Sequence, residues 1–122
     1  MADPIIGWKI DRADRAALLR RFPPTYERTV ADHVTFGRGR DLTLPDVSVA
    51  QLVGRADDGG GVEALVVSLA GSTDRPTGGT YHITWSLGPG RKPVESNDVI
   101  AAQGWRPVAE GGTVRLTPGT WP

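Results

Sequence analysis

Hydrophobic and polar positions along this chain of 122 residues form short strand-like and helix-like runs. The residues from Ile5 to Ile10 are largely apolar and predict a first strand. Asp11 then has the side chain of a helix N-cap, and the apolar spacing that follows predicts a helix from Arg12 to Phe22. The apolar stripe of this helix is expected to consist of Ala16, Leu19 and Phe22. Two prolines directly after Phe22 end it.

The middle of the chain has the pattern of paired strands. The residues from Val47 to Val53 alternate weakly in polarity, and those from Val62 to Leu69 are strongly apolar. The glycine-rich segment from Asp57 to Gly61 is a turn signal, so the two runs predict a β-hairpin. A polar loop from Ala70 to Gly79 follows. Such a loop either lies over a site or simply connects strands.

The remaining part of the chain predicts a short helix and a second hairpin. The helix is expected over Ser96 to Gln103, capped by Ser96 or Asn97, with Gly104 in the C′ position. Two short runs predict a closing hairpin: Arg106 to Val108 and Thr113 to Thr117. Together, the elements indicate an α+β fold in a single domain over residues 1–122.

The only two histidines open the same four-residue pattern. The first motif is His33-Val34-Thr35-Phe36 and the second is His82-Ile83-Thr84-Trp85, in strands predicted over 32–38 and 80–87. Because side chains alternate along a strand, the imidazole and hydroxyl of each motif share one face and the apolar pair takes the other. Tyr81 and Trp85 are therefore expected in the core.

An imidazole beside a hydroxyl on one face is half of an acid–base site for a phosphate. Hydrolysis of a phosphodiester needs one group that takes a proton from water and another that gives a proton to the leaving oxygen. Histidine can do either near neutral pH, and a hydroxyl can donate to a phosphate oxygen. This scheme requires no metal or cofactor. One such motif alone is usually ordinary strand sequence, but two copies favour a shared catalytic site.

Several polar residues near the motifs are candidate substrate-binding groups. Arg38 follows the first motif and Lys92 the second, although charged residues after a strand are usually solvated. Ser86 shares the predicted face of the second motif. Ser96 and Asn97 each have two open interpretations, a helix cap or a contact to ribose or phosphate.

Other residues near the motifs are expected to have structural roles. Alternation points Asp32 away from the His33 ring, so we expect it not to orient that ring. The ring nitrogens that face away from the ligand are expected to bond to backbone carbonyls. The tryptophans outside the motifs are expected to pack in the core: Trp8, Trp105 and Trp121.

Composition narrows the classes of partner and compartment. The 14 basic and 14 acidic residues give a formal charge of +0, which argues against a broad basic surface for nucleic acid. The chain has no cysteine, which excludes disulfides and thiolate metal sites. Without a signal-peptide pattern or an apolar run of membrane-spanning length, a cytoplasmic protein without membrane contact is expected.

The residues around both motifs resemble the 2H phosphoesterase superfamily, which is named for two His-x-Thr/Ser motifs. Within it, the chain is most similar to the cyclic phosphodiesterase domain of fungal and plant tRNA ligases and related phage and bacterial proteins. The resemblance runs from about Gly7 to Gln103 and is carried by the two motifs with their flanking segments: Arg21-Phe22-Pro23-Pro24, Ala31-Asp32, Tyr81 and Lys92-Pro93-Val94-Glu95-Ser96-Asn97. His82 follows His33 by 49 positions, which is short for the superfamily and implies trimmed loops.

This resemblance implies a bilobed fold with antiparallel sheets, outer helices and a central cleft that both motifs face. It implies hydrolysis of a 2′,3′-cyclic phosphate, on an RNA 3′ end or a nucleotide, to a 2′-phosphate. The catalytic residues would be His33 as acid, His82 as base, and Thr35 and Thr84 as phosphate ligands, and the near-symmetry of the two motifs leaves the reverse assignment of the histidines open. Another phosphoester substrate, a 2′-5′ ligase reaction and a non-catalytic module that binds RNA ends or nucleotides stay open. A monomer is expected, and a partner RNA ligase or kinase stays an open possibility.

Overall fold

The computed structural model describes residues 3–122 as an α+β fold in which an open antiparallel sheet carries two helices. The helices are α1 (Arg12–Arg21) and α2 (Glu95–Gln103). The eight strands are β1 (Ile5–Ile10), β2 (Arg28–Thr29), β3 (His33–Arg38), β4 (Val49–Asp57), β5 (Val62–Leu69), β6 (His82–Leu87), β7 (Arg106–Pro107) and β8 (Thr113–Trp121). The predicted bounds of β1 and β5 are confirmed, as is the hairpin that joins β4 to β5.

The strands follow the order β2-β6-β5-β4-β8-β1-β3, and β7 pairs with β4 beside this path. Strand β8 joins two halves of the sheet, since Thr113 to Arg115 pair with β4 and Leu116 to Trp121 pair with β1. Although β3 and β6 are far apart along the path, their residues come within 8 Å of each other. The sheet therefore bends enough to bring the two motif strands together.

A short link between β2 and β3 also holds the motif strands together. The backbone N–H groups of Val30 and Ala31 donate to carbonyls of β6, at 2.9 Å each. Two residues later, His33 pairs with β1. Ala31 has a φ of 44°, in the left-handed region that is unusual for a residue with a Cβ. Arg15 of α1 donates to its carbonyl at 2.6 Å and helps hold this turn in the chain.

Apolar side chains form two clusters on opposite faces of the sheet. The main cluster includes Trp8, Val34, Leu65 and Trp85, each 0% exposed. In the second cluster, α2 covers β4 and β5. The N-cap predicted at Asp11 is confirmed, because its carboxylate accepts from the Asp14 N–H at 2.9 Å.

The apolar stripe predicted for α1 is partly wrong. Leu18 is the buried residue of this helix, Leu19 and Phe22 pack at the edge of the core, and Ala16 is exposed. The helix lies beside β8, where Arg115 bonds to Asp14, so only a narrow face turns inward.

The predicted closing hairpin is wrong. Strands β7 and β8 do not pair with each other, and each pairs with β4 along the same edge. The segment between them packs on β4 because the N–H of Leu52 donates to the Gly112 carbonyl at 2.9 Å. A Cβ at Gly111 would lie 2.3 Å from the Leu52 carbonyl oxygen, so only glycine allows this close approach.

The predicted cap of α2 is also wrong. The N-cap residue is Val94, whose side chain makes no capping bond, and the Glu95 carboxylate accepts from the Lys92 N–H at 2.6 Å. Ser96 is turned into the protein instead of toward the helix end. At the other end, Gly104 has a φ of 71° and its N–H reaches the Ile100 carbonyl, so the predicted glycine stop is confirmed. Neither helix within residues 3–122 is long and apolar enough to cross a membrane.

Candidate functional site

A cavity of about 780 Å³ lies where β3 meets β6. Both motifs contribute their imidazole and hydroxyl side chains to it. Among the described residues, its lining comprises Ile5, His33, Thr35, Gly37, Arg38, Leu42, Arg75, Thr77, His82, Thr84, Pro93, Val94, Asn97, Trp121 and Pro122. The two imidazoles that the sequence places 49 positions apart therefore face one shared space.

Strand alternation explains how each motif reaches the cavity. Val34 and Ile83 anchor their strands in the main core with 0% exposure, as the sequence predicts. Tyr81 and Trp85 lie in the same core, which confirms their expected placement. With these apolar side chains turned inward, the intervening His and Thr side chains must leave the core on the other face.

His82 is a deeply buried imidazole with a defined tautomer. It is 7% exposed, and its Nδ1 lies 2.8 Å from the carbonyl oxygen of Thr80. A carbonyl can only accept, so neutral His82 carries its proton on Nδ1 and leaves a lone pair on Nε2. Burial lowers the pKa of His82; the Thr80 carbonyl opposes this, and the positive charges of Arg75 and His33 add to the lowering.

His33 has a carboxylate partner, contrary to the sequence-based expectation. Its Nδ1 lies 3.1 Å from Oδ2 of Asp32. Asp32 comes just before β3 begins, where the strand pleat does not yet fix the direction of the side chain. Burial lowers the pKa of His33, and the hydrogen bond and negative charge of Asp32 act against it.

Asp32 is the centre of a cluster of positive groups. Its carboxylate bonds to Lys9 at 2.5 Å and to Arg12 at 2.9 Å, in addition to His33. Burial favours its neutral form, but the hydrogen bonds from Lys9, His33 and Arg12 outweigh burial and hold the pKa of Asp32 at about 2. Asp32 is therefore ionised throughout the range in which the histidines titrate.

Trp121 contributes to the site rather than only to packing. Its ring meets the His33 ring edge-on, with centroids 4.7 Å apart, and Lys9 Nζ lies 4.4 Å above it. The other two tryptophans outside the motifs pack as predicted, Trp8 in the main core and Trp105 against the second cluster. Trp121 thus helps to fix the plane of the His33 ring.

The two threonine hydroxyls differ in their partners. Thr84 is 7% exposed, and its Oγ1 lies 2.9 Å from the Ser96 hydroxyl and 3.3 Å from the Pro93 carbonyl. The hydroxyl of Thr35 has no hydrogen-bond partner among residues 3–122. Thr35 can therefore donate to a ligand directly, whereas Thr84 must first exchange a bond that it makes within the protein.

The candidate substrate-binding residues fall into different places. Arg38 lines the cavity and donates to the Asp3 carbonyl at 3.0 Å. Ser96 is fully buried behind Thr84 and does not line the cavity. Lys92 is exposed and also lies outside the lining.

Ser86 is separated from the cavity because it belongs to a buried polar network. It is 0% exposed and donates to Glu63 at 2.6 Å, while the Tyr26 N–H donates to it at 3.1 Å. Glu63 in turn pairs with Arg55 at 2.8 Å. The strand β6 bulges against β5 between Glu63 and Ala64, which removes Ser86 from the row formed by the second motif.

Asn97, for which the sequence allows a contact to ribose or phosphate, lines the cavity, whereas two polar lining residues were missed by the sequence reasoning: Arg75 and Thr77. Both lie in the polar loop before the second motif, for which the sequence allows either a loop over a site or a connector. The signal that could have found them is the loop's position directly before the second motif. Single residues within such a loop cannot be selected from polarity alone.

The charge of the lining suits an anionic ligand. It includes two arginines and two histidines, and no Asp or Glu side chain among the described residues. Within the same residues, no group of three or more His, Cys, Asp or Glu side chains could hold a metal ion. Comparison with family models, curated proteins and solved structures finds no match to this chain.

Proposed function

We propose that this protein is a phosphodiesterase that opens a 2′,3′-cyclic phosphate, on an RNA 3′ end or a nucleotide, by two-histidine acid–base catalysis without a metal. One observation carries the proposal: two imidazoles and two threonine hydroxyls from separate strands line the same cavity. The absence of Asp and Glu side chains from the described lining is consistent with an anionic substrate. The resemblance of both motifs to 2H phosphoesterases supports the same reaction.

The environments of the imidazoles support different roles for them. His82 holds its proton on Nδ1 through the Thr80 carbonyl, so its Nε2 can accept a proton from water. His33 has Asp32 at Nδ1, and a carboxylate there stabilises the imidazolium needed by an acid. We therefore assign His82 as the base and His33 as the acid.

The reaction follows from these roles. A water molecule loses a proton to Nε2 of His82 as its oxygen forms a bond to phosphorus. The bond from phosphorus to the 3′ oxygen breaks, and Nε2 of protonated His33 gives its proton to that oxygen. The products are a 2′-phosphate and a free 3′-hydroxyl. Thr35 and Thr84 donate to the non-bridging oxygens, where negative charge grows in the transition state.

The proposal also includes a bilobed form of the fold, with one lobe around β4, β5 and β6 and the other around β1, β3 and β8. Two observations support it: β8 passes from β4 to β1, and β3 approaches β6. The cavity between the motif strands would then be the cleft between the lobes.

The test compares His33→Ala and His82→Ala with the unchanged protein on 2′,3′-cyclic AMP and on a short RNA with a cyclic end. Loss of a positioned acid or base is expected to lower kcat by about 10²- to 10⁴-fold in each variant. Excess EDTA should leave the rate unchanged, and phosphorus NMR should show a 2′-phosphate. Thr29→Val, on an exposed position of β2, is the control and should retain full activity. Turnover retained in both histidine variants would refute the assignment.

One observation favours a second function, a module that binds RNA ends or nucleotides without turnover. Burial lowers the pKa of both imidazoles, so little imidazolium is present at neutral pH before an anion binds. Binding of 2′,3′-cyclic AMP without product at any pH from about 5 to 8 would support this second function. A bell-shaped rate profile over that range would support the phosphodiesterase.

A further inference from the structure

The loop before the second motif is held in one place by its own hydrogen bonds. Leu69 and Ser72 exchange two backbone bonds, and the Arg75 N–H donates to the Gly79 carbonyl at 3.0 Å. Thr77 also donates its hydroxyl to the Phe36 carbonyl of β3. The loop therefore presents Arg75 to the cavity at a fixed position.

The Arg75 side chain is half-buried, and within residues 3–122 each hydrogen-bond partner of its guanidinium group is a neutral oxygen. Nε donates to the Gly78 carbonyl at 2.7 Å, Nη1 to the Thr35 carbonyl at 3.3 Å, and Nη2 to the Asn97 side-chain oxygen at 3.0 Å. No carboxylate lies within ion-pair distance of Arg75 among residues 3–122. The charge is therefore positioned but not neutralised by the protein.

An unneutralised, half-buried guanidinium is costly unless an anion completes its environment. Burial lowers the pKa of Arg75, because a charged guanidinium is less favourable when it is partly removed from water. The other charged or titratable side chains that line the cavity within the described chain are Arg38 and the two histidines. An anion that pairs with Arg75 would therefore come from a ligand.

We propose that Arg75 is the principal phosphate-binding group of this cavity. A guanidinium has five N–H groups, and the three recorded bonds leave two for phosphate oxygens. Its bond to the Thr35 carbonyl keeps the guanidinium next to that residue, which lines the same cavity. Arg75 and Thr35 would then hold neighbouring oxygens of one phosphate. The phosphoester substrate rests on the proposed function, but the anion site itself does not.

The proposed binding of two phosphate oxygens requires an arginine at position 75, and a lysine could not replace it fully. A guanidinium can bind two oxygens of a phosphate in one plane, while an ammonium acts as a point charge. The bonds to Gly78 and Asn97 already fix the plane of the guanidinium, so little rotational freedom is lost on binding.

The test measures binding of 2′-AMP and inorganic phosphate by calorimetry to the unchanged protein, Arg75→Gln and Arg75→Lys. Loss of a charge-assisted fork should weaken 2′-AMP binding by about 10- to 100-fold in Arg75→Gln. Arg75→Lys should regain only part of the loss. Arg20→Gln, at an exposed position of α1, is the matched control and should bind as the unchanged protein does.

A second readout separates anion binding from a purely structural role. Removal of the positive charge should raise the pKa of His82, observed by NMR of its ring protons, and Arg75→Lys should keep it low. Equal 2′-AMP affinity in Arg75→Gln and the unchanged protein would overturn the inference, as would an unchanged protein that binds neither probe at millimolar concentration.

These measurements distinguish failure of the phosphodiesterase proposal from failure of the proposed anion site at Arg75. An unchanged protein that binds 2′-AMP through Arg75 but hydrolyses no cyclic phosphate refutes the phosphodiesterase and supports the anion site. Hydrolysis at an unaltered kcat/KM in Arg75→Gln supports the phosphodiesterase and overturns the role of Arg75.

Discussion

Replacement of Asp32 by Asn tests the electrostatics around His33 through both stability and catalysis. The pKa of Asp32 lies at about 2, below its ordinary value of 3.8. A lowering of this size corresponds to roughly 2.4 kcal/mol of folding stability at neutral pH. The side chain is 27% exposed, and its partners Lys9 and Arg12 are more exposed still. Solvent screening reduces the expected loss in Asp32→Asn to about 1 to 2 kcal/mol.

The pH dependence of this loss follows from the direction of the shift. Because the folded protein holds the Asp32 proton less tightly than the unfolded chain, its contribution is complete above about pH 5 and disappears as the pH falls through 2. Urea unfolding should therefore show the full difference between the two proteins at pH 7 and about a third of it at pH 2.5. Asp46→Asn, on an exposed position before β4, is the control and should unfold as the unchanged protein does.

The same substitution separates the two histidine roles. Without the carboxylate, the pKa of His33 falls, because Asp32 supplies the hydrogen bond and charge that raise it. If His33 is the acid, the basic limb of the rate profile moves to lower pH and activity at pH 7 declines. Movement of the acidic limb instead would assign His33 as the base. An unfolding free energy equal to that of the Asp46→Asn control would refute the electrostatic reasoning itself.

Two further substitutions test the packing that supports the site. Gly54→Ala would put a Cβ 2.0 Å from the Trp105 ring and should lower the unfolding free energy by about 1 to 3 kcal/mol, measured in urea. The loss should shrink when Trp105 is also changed to Ala, and an equal loss in both backgrounds would contradict the clash. Glu63→Gln should lower the unfolding free energy by about 2 to 4 kcal/mol, because Glu63 is 1% exposed and its carboxylate pairs with Arg55, which keeps only Asp57 as an ionic partner in the variant. The exposed Glu27→Gln is its control, and equal stability of these two variants would contradict the argument.

The sequence predicts well those features that depend on alternation along one strand. The strong apolar runs of β1 and β5 define their own bounds, and the inward turn of Val34, Ile83 and Trp85 follows from the period of two. The shared orientation of each His and Thr is a consequence of the same rule. These parts require no knowledge of the neighbouring strands.

Features that depend on distant pairing could not be predicted in this way. Residues 106–108 and 113–117 have hairpin-like spacing, but β4 offers one edge long enough to pair with both β7 and β8. Ser86 leaves the row of the second motif because β5 and β6 are out of register at a bulge. Arg75 enters the cavity through bonds to β3 that only the folded loop makes.

The short link between β2 and β3, which contains Ala31, limits how far the cavity can change in size. Val30 and Ala31 bond to β6, only Asp32 separates them from the start of β3, and Arg15 of α1 donates to both of their carbonyls. A link of this length allows β3 and β6 to rotate slightly relative to each other. It does not allow the two strands to move apart by the width of another chemical group. Selection by ligand size would then depend on peptide geometry rather than on the side chains around the entrance.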